Sequence, residues 1–196
     1  QLRYTYRDRS LLSPLYLRLQ VEQQDIRHEG VPGDYIKVSL EVKKEWRYEE
    51  KKRWGLRFFA GYFTVNSFRE ASQPIRQAFA LSHQGFNDYT FEHNFPARSE
   101  QSGLLARQTT GWEGGFKNAP LRDLGRSNEG MVALNLYADL PLRLPDLLPL
   151  KAYFDLGYAH HPDAAFSENF LWSGGLSLQY ARDAISIYFP LLHAAP

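Results

Sequence analysis

The sequence predicts an all-β protein, an antiparallel transmembrane β-barrel of about eight to eleven strands with a polar, filled lumen. Three observations lead to this fold class. Apolar and polar residues alternate with a period of two along most of the chain. Several alternating runs reach about ten residues, the length that a tilted strand needs to cross a bilayer. Aromatic residues make up 15% of the chain, and many stand where an apolar face ends, as in the interfacial belts of membrane proteins.

The alternation defines the predicted strands. It covers residues 15–22, 36–47, 53–62, 132–140, 150–158, 172–180 and 185–189, and residues 1–7 alternate in the same way. Turn-forming Gly, Pro and Asp residues separate most of these runs. Between 77 and 117 the pattern is less regular. Residues 77–83, 89–94 and 104–117 are candidate strands there, although the Gly-rich 112–116 equally fits a bulge or a loop.

The faces opposite the apolar ones carry charges of both signs. The candidate lumen residues are Arg18, Glu22, Lys37, Glu41, Lys43, Arg57, Lys151 and Asp155. Such a face does not suit the packed interior of a soluble sandwich, the main alternative fold, but it suits a polar lumen. In a barrel of about eight to ten strands the interior is only wide enough for side chains. We therefore expect opposite charges to pair across strands and to fill the lumen, in preference to an open ion-conducting pore.

Aromatic residues at the ends of the apolar faces are the candidate lipid-interface residues. They are Trp46, Trp54, Tyr158, Trp172, Tyr180 and Phe189. The last two strands, residues 174–180 and 183–190, also resemble the terminal strands of outer-membrane proteins, which the barrel-assembly machinery reads. The chain continues past the terminal aromatic as LLHAAP, which departs from that pattern. We expect a location in the outer membrane of a Gram-negative bacterium, with outer-membrane lipid and the assembly machinery as partners.

Composition narrows the remaining classes of function. With 23 basic and 22 acidic residues the net charge is +1, and no nucleic-acid-binding motif is present, so a nucleic-acid partner is not expected. The absence of cysteine removes disulfides and thiolate metal sites. No apolar run approaches the roughly 18–20 residues of a membrane-spanning helix. The chain reads as one domain over residues 1–196, and the alternation from Gln1 onward suggests that it begins inside a longer polypeptide.

Three groups of polar residues are candidates for hidden chemistry. They are His160, His161 and Asp163 as metal ligands; His83, Asp88, Glu92 and His93 as an acid–base or metal cluster; and Ser99 and Glu100 as parts of a hydrolase triad. None has the spacing of a recognised metal or catalytic motif. A solvated turn or loop explains each group better. We expect no catalytic residue, no metal ligand and no cofactor in this chain.

Short motifs between residues 97 and 190 resemble a particular group of proteins. The motifs are ARSEQSGLL at 97–105, GGFK at 114–117, GRSN at 125–128, VALNL at 132–136, LPLK at 148–151, DLG at 155–157 and DAISIYFP at 183–190. They are similar to a C-terminal region of Bacteroidota-type outer-membrane proteins, in which the barrel follows a zinc aminopeptidase-like domain. The resemblance implies a membrane anchor for such a domain. Here His28 and Glu29 are followed by Gly-Val-Pro, without the second His of a zinc-peptidase motif, so no zinc ligand carries over.

The sequence therefore leaves three functions in order of preference. The first is a membrane anchor or structural component of an envelope protein or complex, without its own active site. The second is a small porin or transporter with a charged lumen. The third is an envelope hydrolase.

Overall fold

The computed structural model describes residues 1–28, 31–50, 52–67, 78–82, 113–117, 125–142, 149–161, 166–180 and 185–194. These residues form one eight-stranded antiparallel sheet and a separate two-stranded sheet. The prediction of an all-β, antiparallel fold is confirmed. Each alternating run of the sequence falls in one strand, apart from Gln1 and Leu140, which lie one residue outside β1 and β7.

The strands follow one another along the chain with one short helical turn. They are β1 (Leu2–Asp8), β2 (Leu15–His28), β3 (Val31–Glu49), β4 (Lys52–Asn66), β5 (Phe79–Ala80), β6 (Arg126–Ser127), β7 (Gly130–Asp139), β8 (Leu150–Ala159), β9 (Phe170–Tyr180) and β10 (Ile185–His193), with α1 (Phe166–Asn169) before β9.

The large sheet is a meander in the order β1-β2-β3-β4-β7-β8-β9-β10. Each strand pairs with the next strand of the sheet, and β4 pairs with β7 over nine residue pairs from Trp54–Ala138 to Tyr62–Gly130. The strands β5 and β6 lie in the connection between β4 and β7 and pair only with each other. The order therefore follows the chain, as expected when neighbouring antiparallel strands are joined directly.

The register sorts the side chains into two faces, because residues directly opposite one another point to the same side. The inner face carries Arg18 opposite Glu41, and Arg57 opposite Asn135. The segment Glu113–Lys117 packs against this inner face, where Lys117 binds Asp155. The outer face carries the alternate residues, for example Leu56 opposite Leu136.

The outer face is apolar and open. Its large exposed side chains include Leu19, Trp54, Tyr62, Val132, Phe154, Phe170, Ile187 and Phe189. Lys44, which interrupts the apolar face in the sequence, places its ammonium 2.8 Å from the carbonyl oxygen of Ser13. The one charge on this stretch of β3 is thus held by the backbone near the strand end.

The inner face is packed at one end of the sheet. We call this the connection end, since the chain leaves β4 there and returns to β7; the opposite end, which carries the β3–β4 turn, is the hairpin end. The apolar cluster at the connection end consists of Tyr35, Phe59, Phe63, Phe79, Leu81, Phe116, Met131, Ala133, Ala159 and Leu171. Phe79, Leu81 and Phe116 come from the connection, so the two described segments that carry them pack onto the sheet. A side chain at Gly157 would lie 2.8 Å from the Phe116 ring, which explains the glycine.

The strands β1 and β10 are the two edges of the sheet, and no pairing between them is seen among the described strands. Closure into a barrel therefore stays a prediction. Within the irregular middle, the candidate strand at 77–83 contains β5, whereas residues 113–117 form a turn, which agrees with the loop alternative. The candidate strand at 89–94 and all of 104–112 lie outside the described residues.

Candidate functional site

A buried carboxylate, that of Glu41, organises the middle of the inner face. It is only 2% exposed and lies close to three cations. Its oxygens are 2.5 Å from Arg57 Nε, 2.8 Å from Arg18 Nη2 and 3.2 Å from Lys43 Nζ. The three partners come from β2, β3 and β4, so one carboxylate ties three adjacent strands together.

The network continues across β7 and β8 through an amide. Arg57 donates from Nη1 to Asn135 Oδ1 at 3.0 Å, and Asn135 donates from Nδ2 to Asp155 Oδ1 at 3.0 Å. The same amide group also donates to the carbonyl oxygen of Gly114 at 3.0 Å. Asn135 thus accepts from a cation on one side and donates to a carboxylate on the other, a role that neither a Lys nor an Asp could fill.

The segment Glu113–Lys117 completes the network from the connection. Lys117 binds Asp155 twice, from Nζ to Oδ1 at 2.7 Å and from its backbone N to Oδ2 at 3.0 Å. Glu113 binds Lys37 Nζ at 2.6 Å and also accepts from the backbone N of Ala80 at 2.9 Å. Two ion pairs of opposite polarity therefore fasten this segment to β3 and to β8. We call it the inner segment.

The backbone of the inner segment is shaped for this position. Glu113 has a φ of 45° and Gly115 a φ of +69°, and the left-handed region is costly for residues with a Cβ. A Cβ at Gly115 would also lie 2.7 Å from Arg57 Nη1 and 2.8 Å from Asn135 Oδ1. The glycine is therefore required twice, for its dihedral angle and for the close approach of the network.

Burial lowers the pKa of Lys117, and Asp155 opposes that shift by stabilising the ammonium. The arrangement holds charge in place, but it offers no nucleophile activated by a neighbouring base. Among the residues that the structure describes, no three His, Asp or Glu side chains come together as a metal site requires. The network joins β2, β3, β4, β7 and β8 to the inner segment through paired charges and one amide.

The structure places all eight candidate lumen residues on the inner face, and six of them join the ion pairs described above. The six are Arg18, Lys37, Glu41, Lys43, Arg57 and Asp155. Glu22 lies toward the connection end, where its carboxylate accepts from the hydroxyl of Tyr35. Lys151 lies at the hairpin end, 3.8 Å from Asp139.

The candidate interface aromatics lie on the outer face near the two ends of the sheet. Trp46 and Trp54 stack at 4.1 Å beside the β3–β4 turn. Trp172 packs near Phe154, and Tyr158 near His160, both toward the connection end. Phe189 is 46% exposed on the edge strand β10. Tyr180 ends β9 at the hairpin end, and its side chain lies outside the described part.

Three network residues were not predicted from the sequence, namely Asn135, Glu113 and Lys117. Asn135 alternates with the apolar residues of β7, so the sequence predicts its face. Its place in the charged network could not be predicted, because its amide carries no charge. Glu113 and Lys117 carried none, because the inner segment has no period and its partners are far away in the sequence.

The candidate catalytic groups are only partly within the described residues. His160 lies 3.1 Å from the carboxylate of Glu129 and 3.3 Å from the hydroxyl of Tyr158, at the end of β8. The backbone N of His161 binds Asn169. Asp163 and both other groups, His83 to His93 and Ser99 with Glu100, lie outside the described residues.

Comparison of the chain with protein-family models, curated proteins and solved structures finds no match. The described helix α1 has four residues, and no helix in the described ranges has the length and apolarity to cross a membrane. The features that bear on function are the charged inner face and the exposed apolar outer face of the sheet.

Proposed function

We propose that this chain is the membrane-embedded β-barrel of an outer-membrane protein and serves as an anchor without an active site of its own. One observation carries the proposal: the sheet is inverted relative to a soluble protein. Charged Lys37, Glu41, Arg57 and Asp155 are buried on the inner face, whereas large apolar side chains are exposed on the outer face. A lipid environment makes this arrangement favourable, since the outer face meets hydrocarbon and the inner face does not.

The dimensions of the outer face support the proposal. From Trp54 to Tyr62, both exposed, β4 advances eight residues, or about 26 Å along the strand at about 3.3 Å per residue. A strand tilted by about 40° would then span about 20 Å along the membrane normal, close to the apolar band of about 25 Å in known transmembrane barrels. Trp46 at the hairpin end and Trp172 at the connection end would lie in the two interfaces.

A soluble sheet is the alternative, and its energetics are unfavourable. Soluble monomers rarely expose a contiguous apolar patch larger than a few hundred Å². Here the exposed residues include Val132 at 44%, Phe154 at 36% and Tyr62 at 57%, on three strands of the same face. In water such a face would require a cover, whereas lipid supplies one.

The packed inner face supports an anchor over a porin. The apolar cluster fills the connection end, and two ion pairs hold the inner segment across the middle. A conducting path would have to pass this packing. We therefore propose a sealed interior and expect no reproducible single-channel steps from the purified protein in planar bilayers.

The anchored partner is a separate part of the proposal. The resemblance to Bacteroidota-type proteins suggests a zinc peptidase-like domain encoded upstream of Gln1. The complete reading frame tests this directly: a His-Glu-x-x-His motif upstream would support it. A reading frame without such a domain would refute the proposed peptidase partner. It would not affect the proposal that this chain lies in the membrane.

A single charge on the outer face tests the membrane proposal. Val132→Lys places an ammonium on the exposed outer face, on the row of Ala60 and two residues from the centre of the Trp54–Tyr62 band. A lysine costs about 2–4 kcal/mol at the midplane of a bilayer and about 0–1 kcal/mol at its interfaces, so the cost at Val132 lies between these two ranges. We expect a strong loss of the heat-modifiable, detergent-extracted form in the outer-membrane fraction. In a soluble protein the same exposed site would accept lysine with an effect below about 0.5 kcal/mol.

The matched control is Thr64→Lys. Thr64 is exposed on β4 beyond Tyr62, outside the proposed apolar band, so we expect normal insertion. Equal behaviour of Val132→Lys and Thr64→Lys, with both proteins found in the soluble fraction, would refute the proposal.

A further inference from the structure

The strands β3 and β4 carry two pairs of like charges on the inner face. Lys43 lies directly opposite Arg57, and Arg47 directly opposite Arg53. Like charges at opposed positions of an antiparallel pair are destabilising. On the inner face only Glu45, opposite Gly55, lies between the two pairs. The four cations therefore lie within about 13 Å of one another along the two strands.

The acids nearby are already engaged. Glu41 is shared by Arg18, Lys43 and Arg57. Glu45 accepts from the hydroxyl of Tyr137 and lies 3.3 Å from Arg53 Nη1.

Basic groups therefore exceed acidic ones on this part of the inner face. Its described charged residues on the rows from Arg57 to Arg53 and next to them are Arg7, Arg18, Lys43, Arg47, Arg53, Arg57 and Lys151 against Glu41, Glu45, Asp139 and Asp155, and Asp155 is already paired with Lys117.

Two of the guanidinium groups contain a buried nitrogen without a hydrogen-bond acceptor. Arg57 is only 7% exposed, and its Nη2 is buried without a hydrogen-bond partner; the same holds for Arg47 Nε. A buried donor that stays unpaired is costly, and more so on a charged group. The guanidinium fork of arginine is well matched to an oxyanion.

The site is accessible from the hairpin end. The side chains of Lys43 and Arg53 are 45% and 49% exposed, whereas the connection end beyond Arg57 is filled by the inner segment and the apolar cluster. We call this part of the inner face, which is exposed at the hairpin end and packed beyond Arg57, the vestibule. Its deepest cation, Arg57, is already held in place by Glu41 and Asn135.

We propose that this vestibule binds a small oxyanion of the phosphate class, which bridges the like-charged pairs of β3 and β4. The anion would offset the repulsion between Lys43 and Arg57 and between Arg47 and Arg53. It would accept directly from the exposed Lys43 and Arg53, whereas Arg57 Nη2 and Arg47 Nε are buried and would act on it through their charge. The inference goes beyond the anchoring role, since it concerns the partly exposed hairpin end of the inner face and does not depend on what surrounds the outer face.

Titration calorimetry with inorganic phosphate tests the proposal on the purified chain in detergent at low ionic strength, where screening is weak. We expect saturable binding by the wild type and a loss of about tenfold or more in affinity for Lys43→Met and for Arg53→Met, each of which removes one cation from direct contact. The matched control is Lys44→Met, one residue along β3 on the outer face, which should bind phosphate like the wild type.

Three results would overturn the proposal: no phosphate binding at about 10 mM ligand, equal loss in Lys43→Met and Lys44→Met, or acetate and chloride binding as tightly as phosphate, which would indicate only a diffuse potential. Heat-modifiability of each variant shows separately whether the sheet has formed. A chain that inserts but binds no phosphate contradicts this inference alone, and a soluble chain that binds phosphate contradicts the membrane proposal alone.

Discussion

Substitutions of the ion pair between Lys117 and Asp155 test whether water reaches the inner face. Asp155 is fully buried, and besides Lys117 it accepts from Asn135 at 3.0 Å. Removing one partner of a buried pair costs about 3–5 kcal/mol, because the other charge is left uncompensated. Replacing both partners leaves no uncompensated charge, so the double variant should cost less than the sum of the two single variants, although the hydrogen bonds of the pair are still lost. The double-mutant cycle of Lys117→Met and Asp155→Asn therefore separates a packed interior from a hydrated one.

We expect each single substitution to cost about 3 kcal/mol, at the lower bound for a buried pair, because hydrogen bonds from Asn135 and partial exposure of Lys117 compensate in part. The double variant should cost about 3–4 kcal/mol rather than about 6, a coupling of about 2–3 kcal/mol. The assay is denaturant unfolding of the chain refolded into vesicles. Tryptophan fluorescence provides the signal, since Trp172 packs near Phe154, next to Asp155.

Lys151→Met is the control for this cycle. Lys151 is a second inner-face lysine beside an aspartate, but its ammonium is 3.8 Å from Asp139 and both side chains are partly exposed. Such a pair contributes about 0–1 kcal/mol. If Lys117→Met cost as little as Lys151→Met, or if the two singles added without coupling, water would reach the buried pair and the sealed interior would be refuted.

Two further predictions concern the packing and the outer face. Gly157→Ala should cost about 1–3 kcal/mol in the same unfolding assay, because the added methyl meets Leu81 and Phe116 of the connection; a neutral result would mean that these groups do not rest on β8. Trp54, 41% exposed beside the hairpin turn, should be quenched more by lipids brominated near the headgroup than by lipids brominated near the chain end. Because Trp46 and Trp172 are proposed to lie in the interfaces as well, Trp54→Phe should reduce that difference without removing it. A difference unchanged by Trp54→Phe would place Trp54 outside the interface.

Much of the sheet was predictable because period-two alternation is a local signal. The pattern assigned Lys37, Glu41 and Lys43 to one face of β3, and the register places them there, opposite Phe63, Phe59 and Arg57. It could not give strand ends. Apart from Ile26, the residues of β2 beyond Glu22 are polar on both faces, so no alternation predicts that the β2–β3 hairpin extends to His28.

The inner segment was not predictable for a different reason. Its position depends on contacts across long sequence separations, such as Glu113 with Lys37, and no periodicity marks residues that bind as a turn. Asn135 shows an intermediate case, since its face could be read but its double role as acceptor and donor depends on Arg57 and Asp155 from neighbouring strands. The local alternation therefore predicted the strands of the sheet. The position of the inner segment could be found only from the three-dimensional contacts.

The direct pairing of β4 with β7 has a practical consequence for this chain. Nine opposed residue pairs join the two strands, so the halves β1–β4 and β7–β10 meet along a full strand and do not rely on the covalent connection. A backbone cut between residues 82 and 113 would leave Phe79 and Leu81 on one fragment and the inner segment on the other, each facing its partners across the seam. The two fragments, produced separately, should bind each other and restore the sheet through the β4–β7 pairing. The chain could then serve as a split reporter.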